Sequence, residues 1–390
     1  MSAPRYSAKE MLARLVGFDT TSRDSNLELI AFVEDYLSAY GVASTRIPNA
    51  EGDKASLLAS VGPAVPGGII LSGHSDVVPV DGQPWSSDPF ALTERDGRLY
   101  GRGTCDMKGF LALYLSLLPE MLAQPLKVPL HFAISYDEEV GCIGVLPMVR
   151  RIAGELPAPR ACIVGEPTEM GLVVAHKSIN SYFVRVQGRE AHSSMPQLGA
   201  NAIHAAALLV AKLVAMVKER EANPIPGSTF VPPWTTIHVG RIEGGTAQNI
   251  LPLECGFSWE YRLHPGDDGQ AIYDEFERYA REEVEPWLQR FAPEASITLE
   301  TRAEAPPLNP DPESAAEILV RQLSGLNTRT VVSFATESGH FQEAGIPTVV
   351  CGPGSIEQAH KPDEFLALSQ LEAGEAFLRR LIRWAREEAH

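Results

Sequence analysis

Five short apolar runs in this sequence each lead to a residue able to bind a metal ion or move a proton. Residues 68–73 (GIILSG) run straight into His74-Ser75-Asp76, and residues 99–105 (LYGRGTC) deliver Asp106. Residues 131–136 (HFAISY) end in Asp137-Glu138-Glu139, and residues 161–165 (ACIVG) end in Glu166. Residues 348–352 (TVVCG) lead through a Gly/Pro turn to His360. Two histidines and three or four carboxylates suit divalent ions, and the lack of nearby thiolates excludes a structural cysteine site. A pair of such ions about 3.5–4 Å apart holds an attacking water and polarises a carbonyl. In His74-Ser75-Asp76 the first and third residues share a face of a strand, so Asp76 is expected to accept the second imidazole N–H and fix the ligating tautomer. The adjacent Glu138 and Glu139 suit a division of labour, one binding metal and the other carrying protons. Spacing does not say which does which.

Taken singly, each of these residues has an ordinary reading. His74 reads as a buried histidine, Asp106 as the cap of the helix after it, Glu138-Glu139 as a solvated turn, Glu166 as the start of a proline turn and His360 as a surface residue. Their placement together decides otherwise. Each follows the carboxyl end of an apolar run, and open α/β sheets bind ligands along that rim.

The elements that must position them alternate. Helical patterns cover residues 8–16, 27–40 (ended by Gly41) and 110–122; strand-like runs cover 68–72, 130–135 and 160–164. From residue 178 the character changes: strands are expected at 181–187, 235–242, 253–261 and 296–304, with helices at 201–218 and 271–291. Residues 305–310 (APPLNP) read as a linker, after which a helix (313–324) and a strand (348–351) resume the first pattern. The expected fold class is therefore α/β. A mixed sheet flanked by helices carries two metals at the carboxyl ends of its strands, and an α+β domain is inserted into it. The domains are expected at 1–179 and 305–390 (the catalytic domain in two parts) and 180–304 (the insert).

Composition narrows the function. The 390 residues are 44% hydrophobic, ordinary for a globular chain. With 50 acidic against 33 basic side chains the net charge is −17, which disfavours nucleic acid as a partner. The most apolar long stretch, 202–217, contains His204 and Lys212 and reads as a packed helix, not a membrane span. Five scattered cysteines without a CxxC pair fit a reducing compartment, and the first residues show no secretory pattern, so a cytoplasmic location is expected. No phosphate-binding glycine loop or serine nucleophile elbow is present in a suitable setting.

The segments HSDVVP, GRGTCDMKG, DEEVGCIG, GEPTEM, GREAHSSMP and GPGSIEQAHKPDEF resemble the zinc amidohydrolase family of acetylornithine deacetylase, succinyl-diaminopimelate desuccinylase, aminoacylase and carboxypeptidase G, and the resemblance extends from about Ser7 to Leu366. The resemblance implies two divalent ions, zinc first and cobalt second, with Asp106 bridging them. His74 and Glu166 would complete one ion, and Glu139 and His360 the other. It makes Glu138 the general base and Asp76 the support of His74. It also implies that the inserted domain is a lid through which a homodimer forms, with His192 reaching a neighbouring subunit's site to stabilise an oxyanion. Arg262 would hold a substrate carboxylate, although a structural ion pair fits it equally, and Asn249 would contact substrate. The other histidines, His390 among them, are assigned to core or surface.

Three stretches, 165–170 with 176–178, then 336–341, then 352–360, resemble the acetylornithine deacetylase branch most. The expected substrate is N-acetylornithine, with Glu337 as the anion facing its ammonium group. Related di-zinc hydrolases acting on another N-acyl amino acid, succinyl-diaminopimelate or a dipeptide are the alternative. A non-catalytic metal or small-molecule binding protein is the alternative of another class.

Overall fold

The computed structural model describes residues 3–387, so His390 lies outside the described residues. The chain divides into two compact units. One comprises residues 3–175, 308–331 and 336–387; the other comprises 176–307 with 332–335.

The first unit is built on an eight-stranded sheet in the order Ser44–Pro48, Ala55–Val61, Leu130–Ser135, Ile69–His74, Ala161–Pro167, Thr348–Gly352, Val173–His176, Thr330–Val332. The four strands from Leu130–Ser135 to Thr348–Gly352 run parallel, and every residue in them is buried. A sheet covered on both faces leaves no solvent side to alternate towards, which is why these runs are continuously apolar. Antiparallel pairing of Ser44–Pro48 and Ala55–Val61 makes the sheet mixed. The helix Lys108–Ser116 is almost wholly buried and packs with Ala8–Val16 and the carboxyl-terminal helix Leu368–Glu387. Phe110 of that helix lies so close to Gly165 that a β-carbon there would fall 2.0 Å from its ring, so only glycine permits this approach.

The second unit is α+β. Its antiparallel sheet runs Thr236–Gly244, Glu254–Arg262, Ile179–Gln187, Ser296–Ala305. Tyr182, Val184 and Val186 alternate inward with Phe257 and Trp259 against Leu209, Leu213 and Met216 of the helix Ala202–Ala222.

Three expectations need correction. The boundaries at 179/180 and 304/305 shift, because Lys177 Nζ donates to the carbonyls of Pro232 and Trp234, Leu263 N donates to Ser178 Oγ, and the last strand continues to Ala305. Residues 332–335 also join the second unit, where Ser333 Oγ donates to the Val231 carbonyl. The helix expected at 110–122 is interrupted, whereas the one expected at 271–291 is continuous from Gly269 to Gln289 and only changes pitch. Lys108–Ser116 is followed by a separate Leu118–Leu122, and Gly269–Tyr279 passes through a π-turn at Ala280–Val284 into Glu285–Gln289. Pro119 sits at the restart and Pro286 just after the change of pitch, where a residue without an N–H cannot continue the ladder.

Candidate metal centre and active site

The carboxyl ends of neighbouring parallel strands bring four acids (Asp106, Glu138, Glu139 and Glu166) and two imidazoles together, while Asp137 turns to Lys54. His74 ends Ile69–His74, Asp137-Glu138-Glu139 follow Leu130–Ser135, and Glu166 lies within Ala161–Pro167. Asp106 comes from the loop before the helix Lys108–Ser116, and His360 from the turn after Thr348–Gly352. Asp106 is not the cap of its helix; Met107 takes that position, without a side-chain bond.

Asp106 stands between the imidazoles. Its Oδ1 is 3.1 Å from His74 Nε2, and its Oδ2 is 3.3 Å from His360 Nε2. Glu166 Oε1 is 3.6 Å from His74 Nε2, and Glu139 Oε2 is 3.0 Å from His360 Nε2. The Asp106 carboxylate thus lies between His74, beside Glu166, and His360, beside Glu139. His74, Asp106 and Glu139, and likewise His74, Glu138 and Glu166, each offer ligand atoms within 4.8 Å of one another. Glu139 Oε1 is buried without a hydrogen-bond partner, and His360 keeps 56% of its side chain exposed.

The electrostatics fit a cation-binding site. Burial, reinforced by Glu139, Asp106 and Asp76, pushes the Glu138 carboxyl up to about 8 against the opposing field of His74. Burial and the Asp106 charge push Glu139 up to about 7. Burial disfavours the His74 imidazolium, yet its bonds to Asp106 and Asp76 and the fields of Glu166 and Glu138 raise its pKa well above the usual value. Bonds to Asp106 and Glu139 raise His360 to about 10. Crowded acids hold protons unless positive charge joins them, and two divalent ions would supply it. The donor set, its crowding and the unpartnered Glu139 oxygen fit such ions.

Asp76 meets His74 through two groups. His74 Nδ1 donates to the Asp76 backbone carbonyl at 2.8 Å, and the Asp76 carboxylate pairs with the same nitrogen at 3.6 Å. The carboxylate also accepts from Ser22 Oγ at 2.7 Å and from the backbone N–H groups of Glu138 at 3.2 Å and Glu139 at 3.4 Å. It therefore orders both the histidine's segment and the glutamate turn.

Glu337 is corrected outright. Its carboxylate has no exposure to solvent and accepts from Ser72 Oγ and Ser135 Oγ, each at 2.6 Å, tying two parallel strands together. A group so enclosed does not meet a substrate's ammonium.

His192, Asn249 and Arg262 belong to the second unit. His192 is exposed, and its Nδ1 accepts from Ser194 N at 3.2 Å, which leaves Nε2–H as the ring's donor. Asn249 is exposed in the adjoining segment, where its carbonyl accepts from Ser193 N at 2.9 Å. Arg262 forms a two-point pair with Glu260, at 3.1 and 3.3 Å.

Three contributors carry no sequence signal of their own: Ser22, Cys142 and Glu364. Cys142 Sγ donates to Glu138 Oε1 at 3.3 Å, and Glu364 lies against the Asp106 loop. Cys142 and Glu364 do fall inside the segments DEEVGCIG and GPGSIEQAHKPDEF that carry the family resemblance. All five cysteines are free and buried.

The sequence profile of Peptidase family M20/M25/M40 matches residues 70–384. An acetylornithine deacetylase from Myxococcus xanthus is 35% identical over 391 residues, covering 98% of each chain. Among solved structures, an M20 family metallo-carboxypeptidase from Sulfolobus solfataricus superimposes with a TM-score of 0.76 at 17% identity, covering 98% of this chain and 99% of the other. A dinuclear metal-binding M20 peptidase from Bacillus subtilis gives 0.62 at 17% identity, over 98% and 99%. At those identities the structural likeness speaks for the fold alone.

Proposed function

This chain belongs to peptidase family M20/M25/M40, whose members are metal-dependent amide hydrolases, and from that premise we propose that it hydrolyses N-acetylornithine to ornithine and acetate. The observation that carries the reading is the 35% identity to an acetylornithine deacetylase across 98% of both chains. The intact constellation around Asp106, with a separate glutamate beside it, supports the catalytic part.

His74, Asp106 and Glu166 would hold one ion, and His360, Asp106 and Glu139 the other. Zinc is the first candidate and cobalt the second for this nitrogen and oxygen donor set. When bound, such ions supply Lewis acidity to the scissile carbonyl and acidify water. Glu138, which forms no ion pair with His360 and lies within 4.8 Å of His74 and Glu166, would take the water's proton and return it to the departing amine. A carboxyl with a raised pKa suits both transfers. Asp76 keeps the Glu138 turn and His74 in register. His192, with Nε2–H available, would donate to the oxyanion in a neighbouring subunit's site, while Arg262 and Asn249 would receive the amino-acid part of the substrate. This reading carries with it a homodimer through the second unit and a cytoplasmic place in arginine biosynthesis. Exposed Leu208, Val214 and Ile242 on that unit's helix and edge strand support the dimer.

The test is a panel of N-acetylornithine, other N-acetyl amino acids, succinyl-diaminopimelate and dipeptides, run on chelated enzyme restored with defined metals. N-acetylornithine is expected to lead in kcat/KM by at least about tenfold. Preference for another acyl amino acid or a dipeptide overturns the substrate. Tight metal binding with no hydrolysis of any member would point to a binding protein.

A further inference from the structure

Asp106 sits in a buried loop, residues 101–107, that lacks a regular backbone ladder, so its N–H groups need partners from elsewhere. One side chain supplies three of them, those of Gly103, Cys105 and Asp106. Glu364 Oε1 accepts from Cys105 N at 2.8 Å and from Asp106 N at 3.1 Å. Its Oε2 accepts from Gly103 N at 3.1 Å and from Arg102 Nη1 at 2.7 Å. Both oxygens are thus committed, and the Arg102–Glu364 pair is fully buried.

Arg102 extends this hold to the second histidine. Its Nη1 also reaches the Lys361 carbonyl at 3.3 Å, and its Nη2 donates to Gln83 Oε1 at 2.6 Å. Gln83 Nε2 in turn donates to the His360 carbonyl at 3.0 Å. His360 has a φ of 64°, a left-handed conformation that costs a non-glycine residue energy and persists only where neighbours enforce it. The bonds from Gln83 and Arg102 to the 360–361 carbonyls are those neighbours.

We propose that Glu364, Arg102 and Gln83 form one positioning unit that sets the bridging carboxylate of Asp106 and the imidazole of His360 at metal-binding separation. Glu364 fixes the Asp106 backbone, Arg102 joins the two loops, and Gln83 holds His360 in its left-handed turn. The inference rests on the reading that Asp106 and His360 are metal ligands. The three are linked through Arg102 and bond to the loops that carry Asp106 and His360, so each acts through another.

The experiment measures zinc retention by the full chain in competition with a chromogenic chelator, together with melting temperature and with kcat and KM at saturating zinc. Glu364→Gln, which sets an amide N–H₂ against other donors, and Glu364→Ala are expected to weaken zinc binding by about 10–100-fold. KM should stay near the wild-type value, and excess zinc should restore much of kcat. A role confined to stability would lower the melting temperature while leaving the folded protein's zinc affinity unchanged. Gln83 is only part-buried, so Gln83→Ala should fold normally and weaken one of the two ions selectively; it decides the matter if the Glu364 variants do not fold. Wild-type retention of both ions in Gln83→Ala or in folded Glu364→Gln overturns the proposal. A wild-type chain that binds no zinc would instead overturn the ligand reading beneath it.

Discussion

Cys142 donates its thiol to Glu138 Oε1 across 3.3 Å, from a backbone held at a φ of 57°. Burial and the neighbouring carboxylates Glu138 and Glu337 raise the thiol's pKa well above its usual value, so the sulfur keeps its proton and remains a donor. The contact steers one oxygen of the proposed base. Cys142→Ala should therefore lower kcat by about fivefold, a weak bond's worth of roughly 1 kcal/mol, with KM unchanged. Cys142→Ser should recover most of it. Glu138→Gln should cost about 10²–10⁴-fold in kcat while metal content stays at the wild-type level. Steady-state kinetics with metal analysis checks both. Near-normal turnover in Glu138→Gln would remove it from the mechanism.

Asp106 divides its two oxygens between His74 and His360, and that division predicts unequal consequences for metal content. His360→Ala should release one ion per chain and spare the one beside His74 and Glu166. Asp106→Asn replaces a bridging oxygen with an N–H₂ group that cannot ligate, and should weaken both. Metal analysis after dialysis against a mild chelator distinguishes them. Equal losses in the two variants would mean that Asp106 does not bridge.

The first-rank site residues were readable because buried parallel strands leave unbroken apolar runs, and the polar residue ending each run marks the rim. His74, Glu138, Glu139 and Glu166 announce themselves in this way, whereas His360, eight residues beyond the strand Thr348–Gly352, rests mostly on the family resemblance. Arg102 and Glu364 do not, being 262 residues apart with a pairing that exists only after folding. Asp76 shows the limit of periodicity: the pattern brings its carboxylate to His74 but does not foresee that its backbone carbonyl makes the shorter bond to the ring. Glu337 shows another, since an acid in a polar stretch reads as available for substrate unless its burial is known. Strands such as Ser44–Pro48, half-exposed at the sheet's edge, carry neither the apolar run nor clean alternation.

The enclosure of Glu337 makes it a stability residue. Glu337→Gln turns one acceptor into a donor facing a serine hydroxyl, and an imperfectly matched buried group costs about 1–3 kcal/mol. Chemical denaturation should report that loss, while KM for N-acetylornithine should stay within about twofold of wild type, because no ground-state contact is removed. A raised KM with unchanged stability would return Glu337 to the substrate.

His131 predicts how stability responds to acid. On the strand Leu130–Ser135 its Nδ1 is 2.8 Å from Ser60 Oγ, its Nε2 has no partner, and the ring lies so close to Gly68 that a β-carbon there would fall 2.3 Å from Nε2. Burial lowers its pKa from 6.5 to about 4, so folding favours the neutral ring. The unfolded chain then binds more protons than the folded one between these values. The contribution is therefore fully present above about pH 6.5 and is lost progressively as the pH falls towards 4. His131→Leu, which cannot titrate, should show a shallower fall in unfolding free energy between pH 7 and 5 than the wild type, whatever its stability at pH 7. Denaturant titrations at both pH values measure the difference in slope, and parallel slopes would show that the buried imidazole does not control this response.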